Sequence, residues 1–217
     1  MGQWDIMSEH LIKREEPPPG ISSFTKIRLG WVFPEEAVLA KPGETTYASL
    51  SPLSKKGKTL VIKVPLKDDR YYLVENRQPF GYDRILPDSG LLILKVDPNA
   101  PEGYGTAKIM DADPKSPRFS RATFRLDRPN RNLFLDQGAN IAITPLWTEG
   151  EDRGVLVTVK EKSDDALKAA LMIQKLIDRS PAPRGQEERR LIEECIACFK
   201  NFDFEACQQI ARKGLKD

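Results

Sequence analysis

The residue types that most often bind transition metals are scarce in this sequence. His10 is the single histidine among 217 residues. A catalytic zinc site uses three protein ligands, usually rich in histidine, and the HExxH motif needs two histidines on one helix. The sequence therefore excludes an HExxH peptidase site, and any other zinc site would have to use cysteines and carboxylates. A GxSxG nucleophile elbow and a phosphate-binding loop are also absent from the sequence.

The three cysteines could form a small metal or redox site. Cys195 and Cys198 are spaced as C-x-x-C, and Cys207 follows nine residues later. The alternative is a place in the core, because all three lie where a predicted helical hairpin needs small apolar side chains. The helical context favours the core over a metal site. An odd number of cysteines on a helical stretch also disfavours a disulfide framework.

Three aspartates, Asp97, Asp111 and Asp113, flank a long loop that could bind calcium. Calcium prefers oxygen ligands, and clustered carboxylates supply them. The spacing is not that of an EF-hand, and acidic loop residues usually cap turns or face solvent. The turn-capping role is therefore favoured, with calcium as the alternative.

One predicted strand carries opposite charges on the same face. In the run YYLVENRQ, Glu75 and Arg77 are two residues apart and so share a face, with Asn76 opposite. The pair could hold a neighbouring loop, or it could be an exposed pair that contributes under about 1 kcal/mol. An enzyme built on such carboxylates would need several residues to converge, namely Asp5, Glu9, His10, Glu75 and Asp83.

Charge and hydropathy narrow the class of protein. The chain has 34 basic and 32 acidic residues, a net charge of +2, and 40% hydrophobic residues, which is typical of a globular protein with a real core. Basic residues do not cluster, so a nucleic-acid partner is not indicated. The longest apolar run, 90–94, is far shorter than the ~20 residues that span a bilayer. Charged residues interrupt any signal-peptide core near the start.

Short β-branched or aromatic runs, separated by turn signals, predict a strand-rich region from about 35 to 162. Their close spacing favours an antiparallel, sandwich-like sheet over a βαβ fold. Val155, Val157 and Val159 alternate, whereas the run at 90–96 does not and is predicted to be covered on both faces. The predicted strands are 59–65, 71–78, 90–97, 122–127, 132–136, 141–147 and 154–162.

Helices are predicted after this region. Ser163 and the two aspartates after it predict a helix start, and small apolar residues follow at helical spacing. A second helix is predicted over about 186–200 and a third over about 204–215, with a turn between them. The fold class predicted is α+β: a mostly antiparallel sandwich-like sheet with a C-terminal helical hairpin or three-helix appendix over 163–217.

The first region, residues 1–34, combines a proline run with a short helix. Pro17, Pro18 and Pro19 cannot lie inside a helix and predict an extended segment. Ser22 or Ser23 then caps a short helix, and Gly30 ends it.

Several motifs of residues 2–136 occur in an order and spacing that resemble a known family. They are W-D-I-M-S, P-P-P-G with S-S-F-T-K-I-R-L-G-W, Y-Y-L-V-E-N-R-Q, and L-P-D-S-G-L-L-I-L-K-V-D. Together they resemble the immune inhibitor A family of secreted or cell-surface zinc metallopeptidases, and most of all its archaeal and bacterial M6-like relatives. The resemblance does not extend to the C-terminal helices, which instead resemble tetratricopeptide-like hairpins.

The resemblance implies roles for residues near the start. Met7 would lie in a methionine turn beneath the metal, Trp4 and Asp5 would brace that turn, and His10 would lie close by. In the family, an HExxH helix upstream of W-D-x-M supplies zinc ligands and the general base. That helix is missing here, so the first residues are expected to be an internal segment, and the missing catalytic part, or another protein, is the expected partner.

Two interpretations follow. In the first, the chain is the C-terminal portion of such a metallopeptidase and is inactive by itself. In the second, it is a free-standing, non-enzymatic binding module made of a β-sandwich and a helical hairpin. The burial of four side chains should distinguish the two interpretations, because a complete fold would bury them and a fold that lacks a domain would expose them. They are Trp4, Phe24, Leu29 and Trp31.

Overall fold

The computed structural model describes residues 1–8, 15, 17–101, 103–158, 160–179 and 184–216. Within them the chain forms nine strands, four α-helices and four short 3-10 helices. The α-helices are α1 (Ser23–Arg28), α2 (Lys160–Arg179), α3 (Gln186–Lys200) and α4 (Phe204–Lys216). The strands are β1 (Ala37–Leu39), β2 (Thr46–Leu50), β3 (Val61–Pro65), β4 (Tyr71–Arg77), β5 (Gly90–Val96), β6 (Ala107–Ile109), β7 (Phe134–Asp136), β8 (Ile141–Glu149) and β9 (Asp152–Thr158).

The strands form two sheets. The first sheet has the order β1-β3-β4-β5-β6, and the second has the order β2-β9-β8-β7. Every pairing is antiparallel except that of β1 with β3. The sheets share one core, to which β4 contributes Tyr72 and Val74 and β9 contributes Val155 and Val157. The predicted α+β fold with a sandwich-like, mostly antiparallel sheet and C-terminal helices is confirmed.

Each sheet is also covered on its outer face. The first sheet packs against the N-terminal segment, defined as residues 1–8 and 17–34, and Trp4 and Val32 lie in that core with Leu73 and Leu92. The second sheet packs against α2, α3 and α4. Strand β5 is therefore buried on both faces, as its lack of alternation predicted.

The helical layer follows the predicted pattern. Ala166, Ala169 and Ile173 of α2 are fully buried, and α3 spans the predicted range. Asp203 accepts a hydrogen bond from the backbone N–H of Ala206 and so caps α4. No α-helix among the described residues is long and apolar enough to cross a membrane.

Three sequence predictions of elements are wrong. Residues 122–127 form only an isolated bridge, Leu91 to Phe124, because the chain turns where Arg125 donates its backbone N–H to Arg131. The last predicted strand ends at Thr158, and α2 begins at Lys160 instead of Ser163. Ser163 is buried inside that helix, in line with the alanines that pack on the second sheet. Strands β1, β2 and β6 were not predicted.

Candidate functional site

Strand β4 points Glu75 and Arg77 away from the second sheet. The two-residue period of a strand puts both on the outer face of the first sheet, under the N-terminal segment. Asn76 points the other way and donates to the backbone carbonyl of Leu50, in the second sheet, at 2.9 Å. Glu75 and Arg77 are both 0% exposed, and Arg77 Nη1 lies 2.9 Å from Glu75 Oε1. The alternative of an exposed ion pair is therefore wrong.

Arg77 has a second carboxylate partner. Its Nε and Nη2 donate to the two carboxylate oxygens of Asp83 at 2.9 and 2.7 Å, in a bidentate pair. Asp83 lies in the 3-10 helix Gly81–Ile85, which follows β4 directly. Arg77, Glu75 and Asp83 form the Arg77 cluster.

The Arg77 cluster holds two points of the N-terminal segment through backbone carbonyls. Arg77 Nη1 donates to the carbonyl of Trp4 at 3.0 Å, and Nη2 donates to the carbonyl of Gly20 at 3.5 Å. Gly20 is required by space, because a Cβ there would lie 2.4 Å from Asp83 Oδ1. With these contacts the guanidinium uses its whole donor fork inside the protein.

A third contact fixes the start of α1. The backbone N–H of Ser23 donates to Glu75 Oε2 at 2.7 Å. Burial would lower the pKa of Arg77, but Glu75 and Asp83 outweigh it and raise that pKa. Burial lowers the pKa of nearby Lys26, although the same two carboxylates act in the opposite direction. The negative charges of the two carboxylates are thus balanced by buried Arg77 and half-buried Lys26.

Asp5 ties the W-D-I-M motif to α1. Its Oδ2 accepts from the backbone N–H and the hydroxyl of Ser22, at 3.0 and 2.5 Å, and from the Thr25 hydroxyl at 2.9 Å. Its Oδ1 accepts from the backbone N–H of Met7 at 2.9 Å. The backbone N–H of Ser8 closes the turn onto the Asp5 carbonyl at 2.9 Å. One buried carboxylate therefore sets the geometry of the turn.

Trp4 and Met7 lie on opposite sides of this turn. Trp4 is fully buried, donates from Nε1 to the carbonyl of Phe119 at 2.8 Å, and has the Arg77 guanidinium 5.9 Å from its ring. Met7 is 74% exposed. Further along the segment, Phe24 is partly buried against the core. Other large apolar side chains are exposed, namely Ile27, Leu29, Trp31, Phe33 and Leu39.

These carboxylates converge, but they do not form an open acid–base site. Glu75 and Asp83 both accept hydrogen bonds from Arg77. Asp5 is the residue after Trp4, whose backbone carbonyl also accepts from Arg77. Each of their oxygens accepts a hydrogen bond from the protein, and all three side chains are buried. The arrangement holds the segment in place. His10 and Glu9, which the carboxylate enzyme would also need, lie outside the described residues.

The three loop aspartates each close a local turn. Asp97 accepts from the backbone N–H of Asn99, and Asp111 from that of Asp113, both at 3.0 Å. Asp113 accepts from the Ser116 hydroxyl at 2.9 Å. Across the described ranges, no group of three or more His, Cys, Asp or Glu side chains could hold a metal ion.

The cysteines lie in the helical layer. Cys195 and Cys207 are buried in its core, Cys198 is half-buried, and all three are free thiols. Cys195 Sγ lies 3.8 Å from the carbonyl of Cys207. A hydrogen bond with Cys195 and burial together raise the pKa of Cys207. These thiols act as small core residues in this packing.

Sequence reasoning singled out Glu75 and Arg77 and missed what they hold. The signal available was Gly20, which ends the proline run immediately before Ile21 and the capping serines. A glycine at that point marks a close approach of the backbone to another group.

The chain has no match among protein-family models, curated proteins or solved structures.

Proposed function

We propose that this chain is the C-terminal portion of an immune-inhibitor-A-like zinc metallopeptidase, and that it supports the catalytic part without hydrolysing peptides itself. The single observation that carries the proposal is the W-D-I-M turn. Trp4 and Asp5 are buried and fully hydrogen-bonded, while Met7 on the same turn is 74% exposed. A fixed turn that presents an apolar side chain suits a surface that another part of the protein covers.

Other exposed apolar side chains of the N-terminal segment support this proposal. Four large apolar side chains of the N-terminal segment that the Arg77 cluster holds are exposed, namely Ile27, Leu29, Trp31 and Phe33. Single exposed apolar residues are ordinary, but several on one short stretch are typical of an interaction surface. The catalytic part of the enzyme is the occupant that the motif order implies.

Zinc does not fit the residues that the structure describes. Those residues contain no cluster of three suitable side chains, and the carboxylates nearest to Met7 already accept hydrogen bonds from the protein. The role proposed for this chain is therefore to position the turn beneath a metal that other residues would hold.

The test compares Met7 in two settings. An antibody to the chain isolates the native species from its source cells, and intact-mass analysis gives its size. We expect a species heavier than 24.5 kDa in which Met7 resists oxidation by hydrogen peroxide. In the isolated 217-residue chain, Met7 should oxidise fast. In both samples, the oxidation of Met7 is compared with that of half-buried Met110 as an internal reference.

Two results would contradict the proposal. One is a native species of 24.5 kDa in which Met7 oxidises as fast as in the isolated chain. The other is a purified chain that holds about one zinc per molecule and loses it in Met7→Leu or His10→Ala, since this would put a complete metal site within this chain.

The second candidate function is a free-standing, non-enzymatic binding module. The burial of Trp4 and the partial burial of Phe24 favour it, because both side chains pack as part of this fold. The exposure of Leu29 and Trp31 favours the first proposal instead. A native mass of 24.5 kDa would select the binding module, with the exposed apolar residues as its contact surface.

A further inference from the structure

A cleft of about 830 Å³ opens between the two sheets at the end where β3 leads into β4. The N-terminal segment lies on the outer face of the first sheet, and the Arg77 cluster lies at the other end of β4, about 20 Å away along the strand. Pockets for small molecules usually measure about 300–1,000 Å³. The cleft is therefore of ligand size and separate from the site described above.

The floor of the cleft is apolar and comes from both sheets. The first sheet and its loops supply Ala40, Val64 and Leu66, and the second supplies Ile141 and Val157. Ala40, Val64 and Val157 continue directly into the core between the sheets. Such a floor favours a ligand with an aliphatic body, because contact with it removes apolar surface from water.

The rim of the cleft carries four cationic side chains and two carboxylates. The carboxylates are already engaged. Glu44 lies 3.5 Å from Lys41, and Asp136 accepts from the Tyr72 hydroxyl at 2.6 Å. That hydrogen bond lowers the pKa of Asp136 and keeps it ionised.

Two of the rim cations form no ion pair among the described residues, although the charge of Lys95 helps to lower the pKa of Asp136. Arg70 is paired with Asp68 at 3.3 Å, but Lys67 and Lys95 have no carboxylate within ion-pair distance in the part of the chain that the structure describes. Lys95 is half-buried and lies over the ring of Tyr72 at 5.8 Å. The net charge of the rim therefore favours an anion beside the apolar floor.

A hydrogen bond between the two sheets lies at the cleft. The Tyr72–Asp136 hydrogen bond joins β4 of the first sheet to β7 of the second. The connections around the opening turn sharply through left-handed backbone, at Gly43 with φ +77° and at Asn140 with φ +54°.

We propose that this cleft binds an amphiphilic carboxylate, with its alkyl chain on the apolar floor and its carboxylate near Lys95 and Lys67. A phosphate or another small inorganic anion would leave the floor in contact with water. A neutral alkyl ligand would leave the two lysines unused. The combination of charge and floor selects a medium-chain fatty-acid-like anion. The proposal does not depend on the proposed function, because it uses none of the same residues.

The experiment titrates the full chain with octanoate, decanoate, neutral decanol and inorganic phosphate, below their aggregation limits, by calorimetry and amide NMR. Decanoate should bind about tenfold tighter than octanoate, because two more methylenes leave water. It should also bind more tightly than decanol. The amide shifts should change at residues of the cleft, such as Leu66, Lys95 and Ile141.

Two variants and one control test the assignment. Lys95→Met should weaken decanoate binding about tenfold and leave decanol binding unchanged, because it removes a charged hydrogen bond only. Leu66→Glu puts a carboxylate on the floor and should weaken both ligands. Lys175→Met, at an exposed lysine of α2, should change neither.

Three patterns of binding would overturn the proposal, and so would the absence of binding. The patterns are equal binding of decanoate and decanol to the wild-type chain, binding of phosphate as tight as that of decanoate, and decanoate binding that survives both cleft variants. Phosphate binding would assign the cleft to inorganic anions. No measurable binding of either carboxylate would leave the cleft without this ligand class.

Discussion

Arg153 carries its guanidinium into the space between the sheets. It is two residues from Val155 on β9, so its side chain points toward the same core, and it is only 8% exposed. Its Nε has no hydrogen-bond partner among the described residues. Burial and the nearby Arg125 charge lower the pKa of Arg153 to about 10. The charges of Asp127 and Asp88 act in the opposite direction but do not offset the burial. A buried donor without a hydrogen-bond partner destabilises a fold, in contrast to the fully bonded Arg77.

Arg153→Met should therefore stabilise the protein. We expect the free energy of unfolding to rise by about 1–3 kcal/mol, because the variant removes a buried, unsatisfied donor and keeps an aliphatic side chain. Denaturant titration measures this change, with Arg190→Met on the exposed face of α3 as the control. A less stable Arg153→Met variant would mean that the guanidinium has a partner after all.

The pH dependence of this gain follows from the lowered pKa of Arg153. Below pH 10 the guanidinium is protonated in both the folded and the unfolded state, so the penalty is fully present. Above pH 10 the folded protein loses the proton first, and the unfolded state then binds more protons than the folded state. Stability contributed by this group therefore rises with pH. The advantage of the variant should shrink as the pH rises above 10.

At the scale of elements, β4 is the strand to which the N-terminal segment is attached. Its outer face carries Glu75 and Arg77, which bond to the backbone of that segment at Trp4, Gly20 and Ser23. The first of these contacts spans 73 residues of sequence. The segment thus depends on two side chains of one strand for its backbone geometry.

Arg77→Met should release this segment. The variant leaves Glu75 and Asp83 buried without their cation, so we expect a loss of about 3–5 kcal/mol in the free energy of unfolding. Amide hydrogen exchange should speed up most in residues 1–8 and 17–28, and α2 to α4 should keep their protection. Arg153→Met is the matched control, since the same exchange of a buried arginine for methionine should act in the opposite direction. Uniform loss of protection would contradict this attachment.

The elements that sequence predicts well are those whose signals are local. Helix α3 was placed from the glycine before it and the apolar stripe along it, and α4 from the Asn201–Asp203 turn. Strand β5 was placed from a run of apolar residues between turn signals. Strands β1 and β6 have three residues each and take their conformation from the neighbour they pair with, which no local pattern records.

The candidate site also has features that local sequence signals predict and features that they do not. The two-residue spacing of Glu75 and Arg77 predicts their common face, and nothing local says that the face is buried. Its burial depends on Trp4 and Val32, which come from a segment far away in sequence. The cleft at one end of the sandwich likewise results from how several connections turn. No sequence motif predicts a cleft that forms in this way.

At the scale of the whole molecule, the chain is four layers deep. The N-terminal segment, the first sheet, the second sheet and the helices each pack only on their neighbours. Trp147 is one of the side chains that link the last two layers. It lies on β8, contacts Phe199 of α3 edge-on with ring centroids 4.9 Å apart, and stacks with Tyr47 of β2 at 6.3 Å.

Trp147→Ala should uncouple the helices from the sandwich. Truncating a buried tryptophan costs about 3–5 kcal/mol, and here the cavity falls at the contact between two layers. In the wild type, helical circular dichroism and the fluorescence of buried Trp4 should change together on denaturation. In the variant, the helical signal should be lost at lower denaturant, because α2, α3 and α4 keep their mutual contacts but lose the buried aromatic contact with Trp147.

The matched control is Trp31→Ala, because Trp31 is 62% exposed in the N-terminal segment. We expect its stability to stay within about 0.5 kcal/mol of the wild type. Two coincident transitions in Trp147→Ala, at a lower midpoint, would mean that the layers unfold as one unit whatever joins them. Separate transitions would instead show that the contact between Trp147 and Phe199 couples the unfolding of the helices to that of the sandwich.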